Sequence, residues 1–89
     1  MARDVPDEQL ARERAFREAV AANIVRLRKE RGINQDELAD LANLHRAHLG
    51  FIEQLRNEPS LTTLMRVAWA LGVSVRELVD VEDRGEEAN

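Results

Sequence analysis

With 89 residues and no cysteine, the chain has room for one modest core and none for a disulfide framework, a thiolate metal site or a cysteine nucleophile. Thirteen Lys and Arg against seventeen Asp and Glu leave a net charge of −4, which on its face argues against a nucleic-acid partner. No apolar run is long enough to span a bilayer, and acidic residues with no apolar block near the start speak against a secretory leader, so a soluble cytoplasmic protein is expected.

Ala, Leu, Glu and Arg dominate, aromatics are 3% of the chain and no period-2 alternation persists, so the sequence reads as all-α. A first helix is predicted from about Asp7, read as an N-cap after Pro6, to Arg31. Phe16, Val20, Ile24 and Leu27 form one apolar stripe and Gly32 supplies the stop. Before Phe16 only Leu10 has anything to bury, so residues 1–15 read as an N-terminal extension of that helix. A second helix is predicted over Gln35–Ala42, with Asn34 and Glu37 spaced as a capping box. A third runs from about Arg46 to Gln54, with Leu49 and Ile52 inward. Ser60 caps a fourth over Leu61–Leu71, whose Leu64, Val67, Ala68 and Leu71 face inward, and Gly72 ends it. Ser74 caps a last helix over Val75–Val81, with Leu78 and Val79 inward. Residues 16–80 thus form the domain, and the acidic tail 81–89 is expected to be mobile.

Divided by segment, the charge changes meaning. Residues 80–89 hold one positive and five negative charges, whereas 24–58 hold six of each. The deficit sits in the tail, and Arg26, Arg28, Lys29 and Arg31 form a basic cluster opposed only by Glu30. Such a cluster is usually a solvated helix end, yet it leaves room for a phosphate-binding face.

The informative spacing lies between Gln35 and Gln54. Leu38, Leu44, Leu49 and Ile52 are apolar, as two steeply crossed helices sharing a core require. Ala39 sits where the helices must approach closely. Asn43 stands where the turn needs a left-handed backbone, which Asn tolerates best after Gly. Through IVRLRKERGINQDELADLANL, IEQLRNEPSLTTL and VAWALGVSVREL, from Ile24 to about Leu78, the sequence resembles the Xre/Cro-type helix-turn-helix DNA-binding family, which includes phage repressors. The resemblance implies a compact five-helix repressor-like domain with an extended first helix.

It also implies roles. Gln35 matches a residue that bonds a DNA phosphate through its side chain and the helix-terminal N–H groups, where the dipole favours an anion. Asn34, with Arg26, Lys29 and Arg31, adds phosphate-facing groups. The third helix matches the recognition helix in the major groove, with His45 at its head and Arg46 as the candidate to grip guanine O6 and N7. Ala47 and Phe51 offer apolar contact suited to thymine methyls, although Phe51 reads equally as cover for the core. Gln54, Arg56 and Asn57 follow where relatives touch the backbone. Arg28 and Glu53 match an ion pair bracing the first helix against the third.

Several positions depart from the pattern. His45 replaces a Ser or Thr cap, which predicts a weaker cap. Gly50 lies inside the recognition helix, Leu55 replaces a turn glycine, predicting a differently shaped loop, and Glu58 is unfavourable to phosphates. His45 and His48 are spaced i, i+3, but without Cys or nearby carboxylates they read as a solvated pair rather than a metal site. No nucleophile or acid–base set emerges and no cofactor or small-molecule signature is present, so no enzyme is expected.

Met65 and Trp69 flank the inward stripe of the fourth helix, and with Val73, Val75 and the last helix they are expected to form a two-fold dimer contact. The reading is a homodimeric transcription regulator acting on double-stranded DNA at a partly palindromic operator. Short chains of this build resemble restriction–modification controllers, and antitoxins and other small repressors share it. The competing reading is a protein–protein module on the same fold, with Phe51 and Trp69 as anchors.

Overall fold

A computed structural model describes residues 4–81. The first three residues and the acidic stretch 82–89 lie outside the described residues, and with them nearly all of the tail whose mobility the composition predicts.

Five helices follow in order: α1 (Asp7–Glu30), α2 (Gln35–Leu41), α3 (Arg46–Glu53), α4 (Leu61–Leu71) and α5 (Val75–Val79). Asp7 is not the cap expected of it. Pro6 takes that place without a side-chain bond, and Asp7 and Glu8 instead put negative charge into the first turn, where the helix dipole favours it. Leu10 stays exposed, so the opening turns of α1 rest on surface pairs such as Gln9 with Glu13 (3.1 Å) and Arg12 with Glu8 (3.4 Å). From Phe16 onward the helix gains a core.

The first four helices end in the same way. The chain turns left-handed at the residue past the cap, Gly32 (φ 68°), Asn43 (φ 58°) and Leu55 (φ 65°), or at the cap itself, Gly72 (φ 73°). In each case two N–H groups then fold back onto the last turn, as Asn43 N to Asp40 O (3.1 Å) and Leu44 N to Ala39 O (2.8 Å) do after α2. Leu55 therefore does not reshape its loop. It adopts the glycine conformation, at a cost of about 1–2 kcal/mol. Bonds from Leu55 N to Ile52 O (3.0 Å) and from Arg56 N to Phe51 O (2.7 Å) offset that cost.

The helix starts follow the caps. Asn34 and Glu37 form the reciprocal box at 2.8 Å each way, and Ser74 and Glu77 form a second one. Ser60 accepts from Thr63 N. His45 is a functioning cap: its Nδ1 accepts from Ala47 N at 3.3 Å, so the imidazole supplies the acceptor that a hydroxyl normally would.

Ile24, Leu38, Leu49, Ile52, Val67 and Leu78 are the most deeply buried large side chains, and every helix contributes to this one core. Leu44 and Leu64 pack against it half-buried. Full burial of a large apolar side chain such as Ile24 or Leu49 contributes about 1.5–3 kcal/mol. Polar ties lock the outer helices onto this centre. Asn23 Nδ2 donates to Leu78 O (2.9 Å), and Arg31 Nε donates to Leu71 O (2.6 Å). Among the described residues no helix is long and apolar enough to cross a membrane.

Candidate nucleic-acid interface

Helices α2 and α3 cross through Leu38, Ala39, Leu49 and Ile52, all buried. This packing fixes the opposite face of α3. Arg46 and Ala47 are exposed there, and Phe51 is exposed as well, with the Arg56 guanidinium 5.8 Å above its ring centroid. At 39% exposed, Phe51 stands outside the buried core. Gln54, Arg56 and Asn57 are exposed along the segment that follows.

Behind this face lies a polar network. Arg28 Nε meets Glu53 Oε2 at 2.9 Å and a terminal nitrogen meets Oε1 at 3.2 Å, a two-pronged pair whose side chains are only 12% and 5% exposed. Arg28 also donates to Ile33 O (3.1 Å), and Gln35 Nε2 donates to Glu53 Oε1 (2.6 Å). The network ties α1, the start of α2 and the end of α3 into one unit, so the outward side chains of α3 ride on a braced helix.

The same bonds redirect groups that the sequence assigned to phosphates. The Gln35 amide is turned onto Glu53, and the Asn34 carbonyl oxygen is engaged in its cap. At this end of α2 the backbone N–H groups of Gln35 and Asp36 meet no acceptor among the described residues. The basic cluster is likewise largely internal. Arg28 braces Glu53, Arg31 bonds the Leu71 and Leu27 carbonyls, and Arg26 pairs with Glu30 at 3.1 Å. Of the four, Lys29 alone has no such partner among the described residues. Helix-end carbonyls and a buried carboxylate occupy these guanidinium donors, which is why the local sequence charge overstates the donors left for phosphates here.

Two acidic residues close to the face hold arginines. Glu58 pairs with Arg17 of α1 at 3.2 Å. Asp36, in the first turn of α2, pairs with Arg46 of α3, Oδ1 to Nε at 2.5 Å, with both side chains about two-thirds exposed (66% and 67%). Sequence reasoning missed Asp36, Arg17 and Asn23, because each acts on a residue outside its own helix, at a separation that no helical period predicts. Gly50, within α3, has room: a Cβ there would meet only Gln35 Oε1, at 3.9 Å.

The residues expected to pair two copies divide. Met65 and Trp69 are exposed, Trp69 at 77%, and line an open apolar groove with Leu41, Ala42, Asn43, Thr62 and Arg66. Val73 and Val75 are half-buried against the core and do not line that groove.

A family model described as helix-turn-helix (HTH_3) matches residues 24–78. The chain is 48% identical over 63 residues to the immunity repressor protein of Bacillus phage phi105, a stretch that is 71% of this chain and 44% of the repressor, so it spans less than half of that relative's length. It is 33% identical over 64 residues to the control protein C.SmaI of Serratia marcescens, covering 72% of this chain and 76% of that protein. Among solved structures it superposes on the restriction–modification controller protein C.AhdI of Aeromonas hydrophila with a TM-score of 0.70 and 31% identity, covering 72% of this chain and 97% of that one.

Proposed function

This chain belongs to the helix-turn-helix (HTH_3) family, and we propose that it acts as a homodimer on a partly palindromic DNA operator in the cytoplasm. At the coarser level it is a DNA-binding transcription regulator and not an enzyme, as its relatives are. The observation that carries the finer reading is the outward presentation of Arg46, Ala47 and Phe51 on a helix braced from behind by Arg28 and Glu53.

In this reading α3 enters the major groove. Arg46 grips guanine, which discriminates by about 1–3 kcal/mol, and Ala47 and Phe51 meet thymine methyls. The phosphate at the head of α2 is bound by the free N–H groups of Gln35 and Asp36 and by the Asn34 amide, since the Gln35 side chain is held by Glu53. His45, Gln54, Arg56 and Asn57 flank these contacts along the backbone. One module makes few contacts, and a second copy related by a two-fold axis places two α3 helices about 34 Å apart, one DNA turn. Met65, Trp69, Val73 and Val75 form the contact between copies. Likeness to C.SmaI and C.AhdI supports a restriction–modification controller as the subtype.

The competing reading, a protein-binding module anchored by Phe51 and Trp69, draws on the exposure of both side chains. Selection of bound sequences from a random duplex pool, followed by titration across salt, separates the two. A regulator returns a two-fold motif, affinity falling steeply with salt through counterion release, and an Arg46→Ala variant that loses discrimination between sites more than background affinity. Binding with no motif and no difference between Arg46→Ala and the natural chain would overturn the proposal.

A further inference from the structure

Arg46 carries the proposed guanine contact, yet in the free protein its Nε is already engaged. The partner is Asp36, ten positions earlier and on the other helix of the pair. The Asp36 carboxylate has no other task in the fold: Glu37, not Asp36, closes the capping box of α2, and among the described residues Asp36 pairs only with Arg46. A carboxylate in the first turn of a helix is also favoured there by the dipole.

We infer that Asp36 is a specificity-determining residue that positions the Arg46 fork. The inference rests on the reading of α3 as the DNA-facing helix. The ion pair places Asp36 at Nε, and the two terminal nitrogens of Arg46 have no partner among the described residues, leaving the pair of donors that matches O6 and N7 of one guanine. The same carboxylate opposes any phosphate that approaches the guanidinium, so random DNA gains little from Arg46 while a correctly placed guanine gains its full pair. A chain of this kind binds background DNA weakly without losing its operator, which suits a protein whose exposed basic residues near α3 are few.

The test compares the natural chain with Asp36→Asn, Asp40→Asn, Arg46→Ala and the double variant Asp36→Asn/Arg46→Ala. Asp40 is exposed on the same helix, one turn further on, and pairs with no cation among the described residues, so Asp40→Asn controls for loss of one negative charge. Anisotropy titrations on random duplex and on the selected duplex, across salt, read affinity, slope and their ratio. Asp36→Asn is expected to tighten random binding about threefold more than Asp40→Asn, within the range open to an exposed pair. It steepens the salt slope on random duplex by about 0.9, one added phosphate contact, and lowers the ratio of selected to random affinity severalfold. In the Arg46→Ala background the extra effect of Asp36→Asn disappears. Without DNA, Asp36→Asn is expected to shift the Arg46 Nε–H resonance from its position in the natural chain, and Asp40→Asn to leave it in place.

Equal ratios and slopes for Asp36→Asn and Asp40→Asn, an excess that persists without Arg46, or an Nε–H signal indifferent to Asp36 each overturn the inference while leaving the regulator reading intact. Failure of the natural chain to select any sequence instead removes the regulator reading, and this inference with it.

Discussion

Removing the Glu53 carboxylate is the sharpest test of how the outward face of α3 is held. Its two oxygens take bonds from Arg28 at 2.9 and 3.2 Å and from Gln35 at 2.6 Å, in a place where the acid is 5% and the arginine 12% exposed. Glu53→Ala leaves the guanidinium charge with only the Ile33 carbonyl as partner, and stranding one member of a buried pair costs about 3–5 kcal/mol. For an 89-residue chain whose whole stability is about 4–13 kcal/mol, that is a large share, and it corresponds to a fall in Tm of about 15–30 °C. Urea and thermal unfolding followed by far-ultraviolet ellipticity measure it; Trp69 fluorescence is a poor reporter because the indole already faces solvent. The cost lies in the stranded charge rather than in the attraction lost. Arg28→Met/Glu53→Met is therefore expected to regain most of it, ending within about 2 kcal/mol of the natural chain, the remainder belonging to the Ile33 and Gln35 groups left without partners. A loss below about 1 kcal/mol for Glu53→Ala, or a double variant no more stable than the single one, would refute this account of the network.

Two further outcomes follow from the geometry. Gly50→Ala is expected to raise stability by roughly 0.5–1 kcal/mol, because the new methyl meets only Gln35 Oε1 at 3.9 Å and the helix loses a flexible residue; a thermal melt that shows no gain would count against it. Trp69→Ala is expected to shift a dimer toward monomer in sedimentation at micromolar concentration with little change in Tm, since a side chain 77% exposed holds little of its own fold together. A variant that sediments as the natural chain does removes Trp69 from the contact between copies.

The helical architecture of residues 24–78 is legible in the sequence, because hydrophobic period, caps and stops are local properties. Asn34 with Glu37 and Ser74 with Glu77 close their boxes within four residues, and Val67, Ala68 and Leu71 share a face by helix geometry alone. The turn at Asn43 was legible for the same reason, since only a few residue types tolerate its backbone. Leu55 shows where local reasoning ends. Its left-handed conformation is disfavoured by its own side chain and is imposed by the hydrogen bonds that close α3.

The outward placement of Arg46 was implied by the family resemblance, while Phe51 read equally as core cover, and the use made of each charge was not legible. Which arginine is free, which is buried on Glu53 and which rests on Asp36 depends on distances between helices that meet only after the core has formed. Periodicity acts along a chain, and Coulomb attraction and hydrogen bonding act through space. The sequence by itself therefore determined the helices and the face they present, while tertiary packing alone decided that Gln35 turns inward, that Arg31 holds the end of α4, and that Asp36 stands beside Arg46.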